Sequence, residues 1–243
     1  MNDTLDLLAR HRSIRRFRDE PLDERAVRAA VAAAQHASTS SNIQAYSLLR
    51  VRDAGKREQL VELTGGQPQV AACGGFFVVC GDQRRHALAA EAAESAYAPN
   101  LETFLLAAVD ASLFAQNLCL AFESLGYGIC YIGGLRNRLA EADELLELPE
   151  HVLPLYGLCV GVPDQEPSLR PRLPVDAVLF DDRYPDDETV LASLAEYDRT
   201  MAAYYAERGK PGYTWTGGIT RKFARENRAH LAGFYRSKGA RLS

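Results

Sequence analysis

The chain has 243 residues, 47% of them apolar and 25% charged, with a formal net charge of −4. That is ample for a packed core and ordinary for a globular protein of one large or two small domains. The mildly acidic balance carries no global basic field, which argues against nucleic acid as a partner.

Thr4 is placed to cap a short helix over residues 5–9. It leads into His11-Arg12-Ser13-Ile14-Arg15-Arg16-Phe17, with Arg10 and Arg18 just outside. This density of forked cationic donors, with a hydroxyl and two apolar anchors, suits either a solvated basic turn or a held phosphate. After Pro21, Asp23 caps an alanine-rich helix over about 24–36, whose apolar residues follow three-four spacing. Residues 37–44 crowd hydroxyls and amides, including Thr39, Ser40 and Gln44, into a polar loop or a nucleotide-lining one. A strand over 47–52 and a helix over 56–63 precede the Thr64-Gly65-Gly66-Gln67 turn. Residues 75–81 read as a buried strand. The alanine-rich, charged stretch 84–99 reads as a mobile excursion.

Residues 102–125 form the longest helical pattern, apolar nearly all round, and so central or buried against another subunit. Gly126 ends it. Residues 127–136 read as a strand running into the Gly133-Gly134 turn, where a backbone can approach a flat ligand closely. A helix over about 139–146 and a buried strand over 155–162 follow. Four prolines stiffen residues 163–174 around Arg170-Pro171-Arg172. An amphipathic helix over 191–207, a loop over 208–215 and one basic helix over about 219–238 close the chain. Strands alternating with helices give an α+β or α/β class, a sheet covered by helices.

The five cysteines lie mostly in apolar runs without a CxxC pair, as expected of buried free thiols in a reducing cytoplasm. Five scattered histidines without HExxH give no metal site. No signal peptide and no run of eighteen apolar residues occur, so a cytoplasmic protein with no membrane partner is expected. GxGxxG, GxxxxGK[ST] and GxSxG are all absent. What remains is a set of anion- and ring-binding elements without an acid, base or nucleophile, the pattern of an enzyme whose cofactor performs the chemistry.

His11 to Arg15, the Ser/Thr-rich segment with Gln44, Thr64 to Gln67, Tyr131-Ile132-Gly133-Gly134-Leu135-Arg136-Asn137 and Arg170 to Pro174 stand in the order and spacing of the nitroreductase superfamily. The chain resembles most its oxygen-insensitive NADPH nitroreductase and flavin reductase P branch, over essentially its whole length. The resemblance implies a single α+β FMN-binding domain over 1–243, with a mostly antiparallel central sheet. It also implies an intertwined homodimer, in which a C-terminal extension from about 187 packs on the partner. His11, Arg12 and Ser13, with Arg172, match positions at the FMN phosphate, and Arg15 one at the pyrimidine side of the ring. Thr39 stands where the family often has serine, beside Ser40. Gln67 matches a polar contact to the flavin, and Tyr131, Ile132, Gly133 and Gly134 the segment facing the ring and its N5 edge. Arg170 replaces a lysine, which keeps charge and changes reach. Arg208, with Lys210, matches a contact to the 2′-phosphate of NADPH. Arg228 matches a tail residue at the mouth of the site, or is a surface charge.

The implied activity is ping-pong hydride transfer from NADPH through flavin N5 to nitroaromatics or quinones. Arg15 would stabilise reduced flavin, and no side-chain acid, base or metal is required. The alternatives are an NADPH:flavin reductase supplying reduced FMN, a chromate reductase, or a flavin-binding redox sensor without turnover.

Overall fold

The structure, a computed structural model, describes residues 2–242. Its centre is a strand, Gly75–Asp82, buried at every position because Phe76 to Cys80 is an unbroken apolar run. We number the strands Tyr46–Val51 (β1), Gly75–Asp82 (β2), Gly128–Ile132 (β3) and Val152–Gly161 (β4). They form one antiparallel sheet in the order β1-β2-β4-β3. The two buried runs, β2 and β4, therefore take the middle. Gly157 on β4 makes room for the Phe76 ring, which would lie 2.4 Å from an added Cβ.

The helices of the first half are Asp3–Ala9 (α1), Glu24–Ala34 (α2), Ala54–Leu63 (α3), Gln69–Ala72 (α4), Arg84–Ala92 (α5) and Leu101–Ser124 (α6). The second half adds Leu139–Leu146 (α7), Asp187–Ala206 (α8), Trp215–Phe223 (α9) and Leu231–Ser237 (α10). Asn2, not Thr4, caps α1, accepting a hydrogen bond from the Leu5 amide at 3.0 Å. Asp23 caps α2 as expected. The first nine residues of the expected mobile stretch 84–99 are helix α5, and the rest is irregular. The helix is tied down by Arg85, which donates to the Tyr46 carbonyl at 2.9 Å, and by His86, whose Nε2 lies 2.7 Å from the Ile43 carbonyl.

Helix α6 starts at a reciprocal capping box between Asn100 and Thr103, and the chain turns away at Gly126, φ +84°. Ala107, Ala111 and Ala115 repeat every four residues on its buried face and admit the sheet closely, between Phe114, Leu118 and Phe122. Each fully buried Phe or Leu here contributes about 2–3 kcal/mol of burial. The opposite face leaves Leu105, Val109 and Leu113 exposed. By length and composition alone α6 could cross a bilayer, yet its other face belongs to the core.

The chain divides into two units, residues 1–167 with 228–243, and residues 168–227. The second consists of α8, α9 and the segment before them. Tyr197 is buried there, stands edge-on to Trp215 and donates to the Pro171 carbonyl at 2.9 Å. The single basic helix expected over 219–238 is two helices, α9 and α10. A non-helical stretch over 224–230 separates them, and within it Arg228 takes φ +60°, a value no continuing helix holds, with its side chain engaged elsewhere in the first unit.

Candidate functional site

The basic segment lies along the free edge of β3. Ser13 forms a parallel bridge with Ile129, and the Ile14 amide donates to the Ile129 carbonyl at 2.8 Å. Ile14 is the anchor, buried against Gly128, where an added Cβ would sit 2.6 Å from its Cγ1. The charged neighbours thus project from a fixed backbone. His11 and Arg12 open on a cleft of about 620 Å³, together with Arg18, Tyr127, Glu123 and Glu166. His11 Nδ1 lies 2.8 Å from Glu123 Oε1, and Arg12 Nη1 donates to Glu166 Oε1 at 2.8 Å. Two polar atoms are left over in this cleft, both buried and without a partner: Arg12 Nε and Glu123 Oε2. Farther along, the Arg15 charge draws down the Cys130 thiol, which burial raises on balance.

The second group forms at the other end of β3. The Thr64 carbonyl accepts from Gln67 Nε2 at 2.9 Å and from Asn137 Nδ2 at 3.3 Å. Gly65 and Gly66, at φ +89° and +74°, make the turn that brings Gln67 back to Thr64. Gly134 lies directly against this pair, so an added Cβ would be 2.3 Å from both Gln67 Nε2 and the Thr64 oxygen. Arg228 donates to Asn137 Oδ1 from Nε at 3.1 Å and from Nη2 at 2.8 Å. Burial, with the Arg136 charge beside it, lowers the affinity of Arg228 for its proton. Arg136 itself donates to the Leu155 carbonyl at 2.6 Å, which fixes the turn over Gly133–Asn137. Burial pushes the Tyr131 phenol far above its ordinary range, so it stays protonated. Gly133 lies four positions beyond Ile129, about 13 Å along the strand. The cationic group and the glycine turn are thus held at a set spacing by one element.

Thr39 and Ser40 belong to a third group, which shares no hydrogen bond with the other two among the described residues. Their loop takes left-handed backbone at Ser41, Asn42 and Gln44. Asp110 of α6, 1% exposed, holds it by accepting from the Ser40 amide at 3.2 Å and the Ala45 amide at 3.1 Å. In the second unit, Arg170 and Arg172 flank Pro171 and lower the Tyr197 phenol, which burial raises overall. Arg208 is folded back on its own helix. It donates to the Tyr204 carbonyl at 2.6 Å, with its guanidinium 3.5 Å from the Tyr204 ring centre.

The structure thus brings together His11, Arg12 and Ser13, and separately Gln67, Gly133, Gly134 and Arg228. Reading the sequence missed Glu123, Glu166, Asp110 and His86, which lie far along the chain from the residues they hold and carry no motif. Asn137 stood inside a quoted motif and could have been found there. The unpartnered, buried Arg12 Nε on the basic cleft fits an anionic group such as the phosphate of a flavin mononucleotide.

A four-stranded antiparallel sheet crossed by one long core helix, with a basic segment on its edge strand, defines an α+β class of cofactor-binding fold. The chain belongs to the nitroreductase family, whose signature matches residues 8–162, with the family's C-terminal domain matching 170–243. It is 43% identical over 242 residues to an oxygen-insensitive NADPH nitroreductase of Salmonella typhimurium, covering 98% of each chain. It is 42% identical over 245 residues to an FMN reductase (NADPH) of Bacillus subtilis, again over 98% of each. The solved NfrA1 nitroreductase of B. subtilis superposes with a TM-score of 0.95 at 40% identity, over 98% of this chain and 99% of that one.

Proposed function

We propose that this chain is an FMN-dependent NADPH oxidoreductase that reduces nitroaromatics and quinones. The observation that carries the reading is the pairing along β3 of a phosphate-directed cationic group with a side-chain-free turn. The family relatives named for NADPH-dependent reduction support it. When bound, FMN supplies the two-electron chemistry, accepting hydride from NADPH and passing it to an acceptor. The chain's own residues do the rest. Ser13, His11 and Arg12 hold the phosphate end, and Arg170 and Arg172 supply further phosphate-directed charge. Arg15 places a permanent positive charge at the pyrimidine side, where negative charge gathers. Gly133 and Gly134 expose backbone toward the ring, with Gln67 beside them and Tyr131 and Ile132 behind. Thr39 and Ser40 add hydroxyls. Arg208 and Lys210 meet the 2′-phosphate of NADPH, and Arg228 stands at the mouth.

The alternative, an NADPH:flavin reductase, is equally compatible with the relatives named FMN reductase (NADPH) and NADPH-flavin oxidoreductase, and nothing favours it over the first reading. The working form is a homodimer in a cytoplasm. The exposed Leu105, Val109 and Leu113 stripe of α6 supports a partner copy there. The region from about 187 would pack on that copy.

The test is the visible spectrum of the purified protein before and after NADPH is added without oxygen. A flavin spectrum that bleaches is expected, followed by recolouring with nitroaromatic, quinone or FMN at rates that rank the acceptors. A protein that is colourless and takes up no FMN overturns the reading.

A further inference from the structure

The cleft at the basic segment holds two carboxylates, and the structure treats them differently. Glu123 sits on the long core helix α6, its side chain 11% exposed, with one oxygen on His11. It cannot leave without moving the core. Glu166 lies in an irregular segment after β4, its side chain 82% exposed, with one oxygen on Arg12. The backbone around Glu166 is pinned. The Asp164 amide donates to the Arg16 carbonyl at 3.0 Å, Arg16 Nη2 donates back to the Asp164 carbonyl at 3.1 Å, and Phe17 bridges Pro163. Releasing Arg12 therefore takes only rotation of the Glu166 side chain.

Arg12 is meanwhile only partly satisfied. Its Nη1 has the Glu166 oxygen, while its Nε is buried with no acceptor. A guanidinium fork is filled by an acceptor presenting two oxygens in one plane. A phosphate monoester can do this, whereas Glu166 as placed engages Arg12 through only one of its two oxygens. We propose that Glu166 is a displaceable internal stand-in for the phosphate of the cofactor: it holds Arg12 in the cleft and is exchanged for the phosphate on binding. Glu123 stays and keeps His11 aimed. This rests on the reading above that the segment receives the FMN phosphate, and it goes further by giving the free site a built-in competitor. Glu166 then lowers affinity for the phosphate end alone and leaves the ring end untouched. It would sharpen discrimination against ligands too weakly charged to displace it.

The experiment is a fluorescence titration of the full-length protein, freed of flavin, with FMN and in parallel with riboflavin, which has the same ring and no phosphate. Wild type, Glu166→Gln and Glu123→Gln are compared at low and high salt. The expected result is that Glu166→Gln binds FMN about fivefold more tightly, the size of an exposed ion pair. The gain shrinks at high salt as charges are screened, and riboflavin affinity does not change. Glu123→Gln weakens FMN binding, because it unseats a donor instead of freeing one. If Glu166→Gln binds FMN no more tightly than wild type, or tightens riboflavin equally, the stand-in role is overturned while the FMN site stands. If wild type prefers FMN over riboflavin by nothing at all, the phosphate reading of the segment falls, and the stand-in with it.

Discussion

The two ends of β3 solve one problem by opposite means. At Ser13 and Ile129 the chain crowds in charge along an edge strand: a histidine and three arginines, with carboxylate partners for His11 and Arg12. At Gly133 and Gly134 it removes side chains, so that backbone packs directly on Gln67 and Thr64. Charge-based sites tolerate small displacements, because Coulomb attraction falls slowly with distance. Close-packed sites do not, because overlap rises steeply. The difference teaches where each end is vulnerable: the cationic end to loss of charge, the glycine end to gain of volume.

The sharpest way to break the contrast is Gly134→Ala. Its methyl has nowhere to go, with the Thr64 backbone oxygen at 2.3 Å. We expect near-complete loss of bound FMN by absorbance, with a destabilisation of about 1–3 kcal/mol in urea melts. Retention of FMN at wild-type level would mean that the turn does not face the ring. Next comes Asp110→Ala, which orphans the amides of Ser40 and Ala45. The expected cost is about 2–4 kcal/mol of stability, with amide exchange rising first over residues 40–45. Arg12→Ala should weaken FMN about tenfold, the weight of one charge-assisted hydrogen bond, and leave riboflavin alone. Equal weakening of both flavins would count against a phosphate role. Arg228→Ala removes two hydrogen bonds from an exposed edge. A two- to fivefold change in KM for NADPH or acceptor is expected, with kcat little altered.

The smallest effect lies in the second unit. Asp198 accepts from the Thr216 amide at 2.9 Å and from its hydroxyl. Partial burial pulls its carboxyl up, but the Thr216 hydrogen bonds outweigh this and hold it below its ordinary range. A lowered folded value means that the contact contributes above the ordinary aspartate range and is lost as pH falls through the folded value. Protection of the Thr216 amide against exchange, corrected for the intrinsic pH dependence of exchange, should therefore fall in acid, and Asp198→Asn should lack that dependence.

Much of this was legible in the sequence. Buried strands wrote themselves as apolar runs, Phe76 to Cys80 and 155 to 160, and Asp23 announced its helix. The ordered motifs placed both ends of β3 in the chain. What the sequence hid was long-range pairing. Nothing near Glu123 says that it will meet His11, and nothing near His86 says that it will hold Ile43. Both contacts depend on how α5 and α6 lie across the sheet. The stretch after 84 looked loose because alanine and charge carry no burial signal of their own, while the order of α5 within it comes from two side chains reaching back to the 43–47 backbone. The break at Arg228 was equally silent, since an arginine in left-handed backbone has no local cause that composition reveals.

The chain leaves its first unit at Pro167 and rejoins it at Arg228. The final segment is then held there without covalent help. Tyr235 donates to the Pro154 carbonyl at 2.8 Å, the His151 amide donates to the Lys238 carbonyl at 2.9 Å, and Lys238 pairs with Asp143 at 3.0 Å. The stretch between is thus, in polymer terms, a loop closed at both ends, whose freedom is spent once the tail has docked. A protease cut anywhere within it would sever the chain and leave the last helix clasped in place, so the nicked protein would run as one particle until denatured.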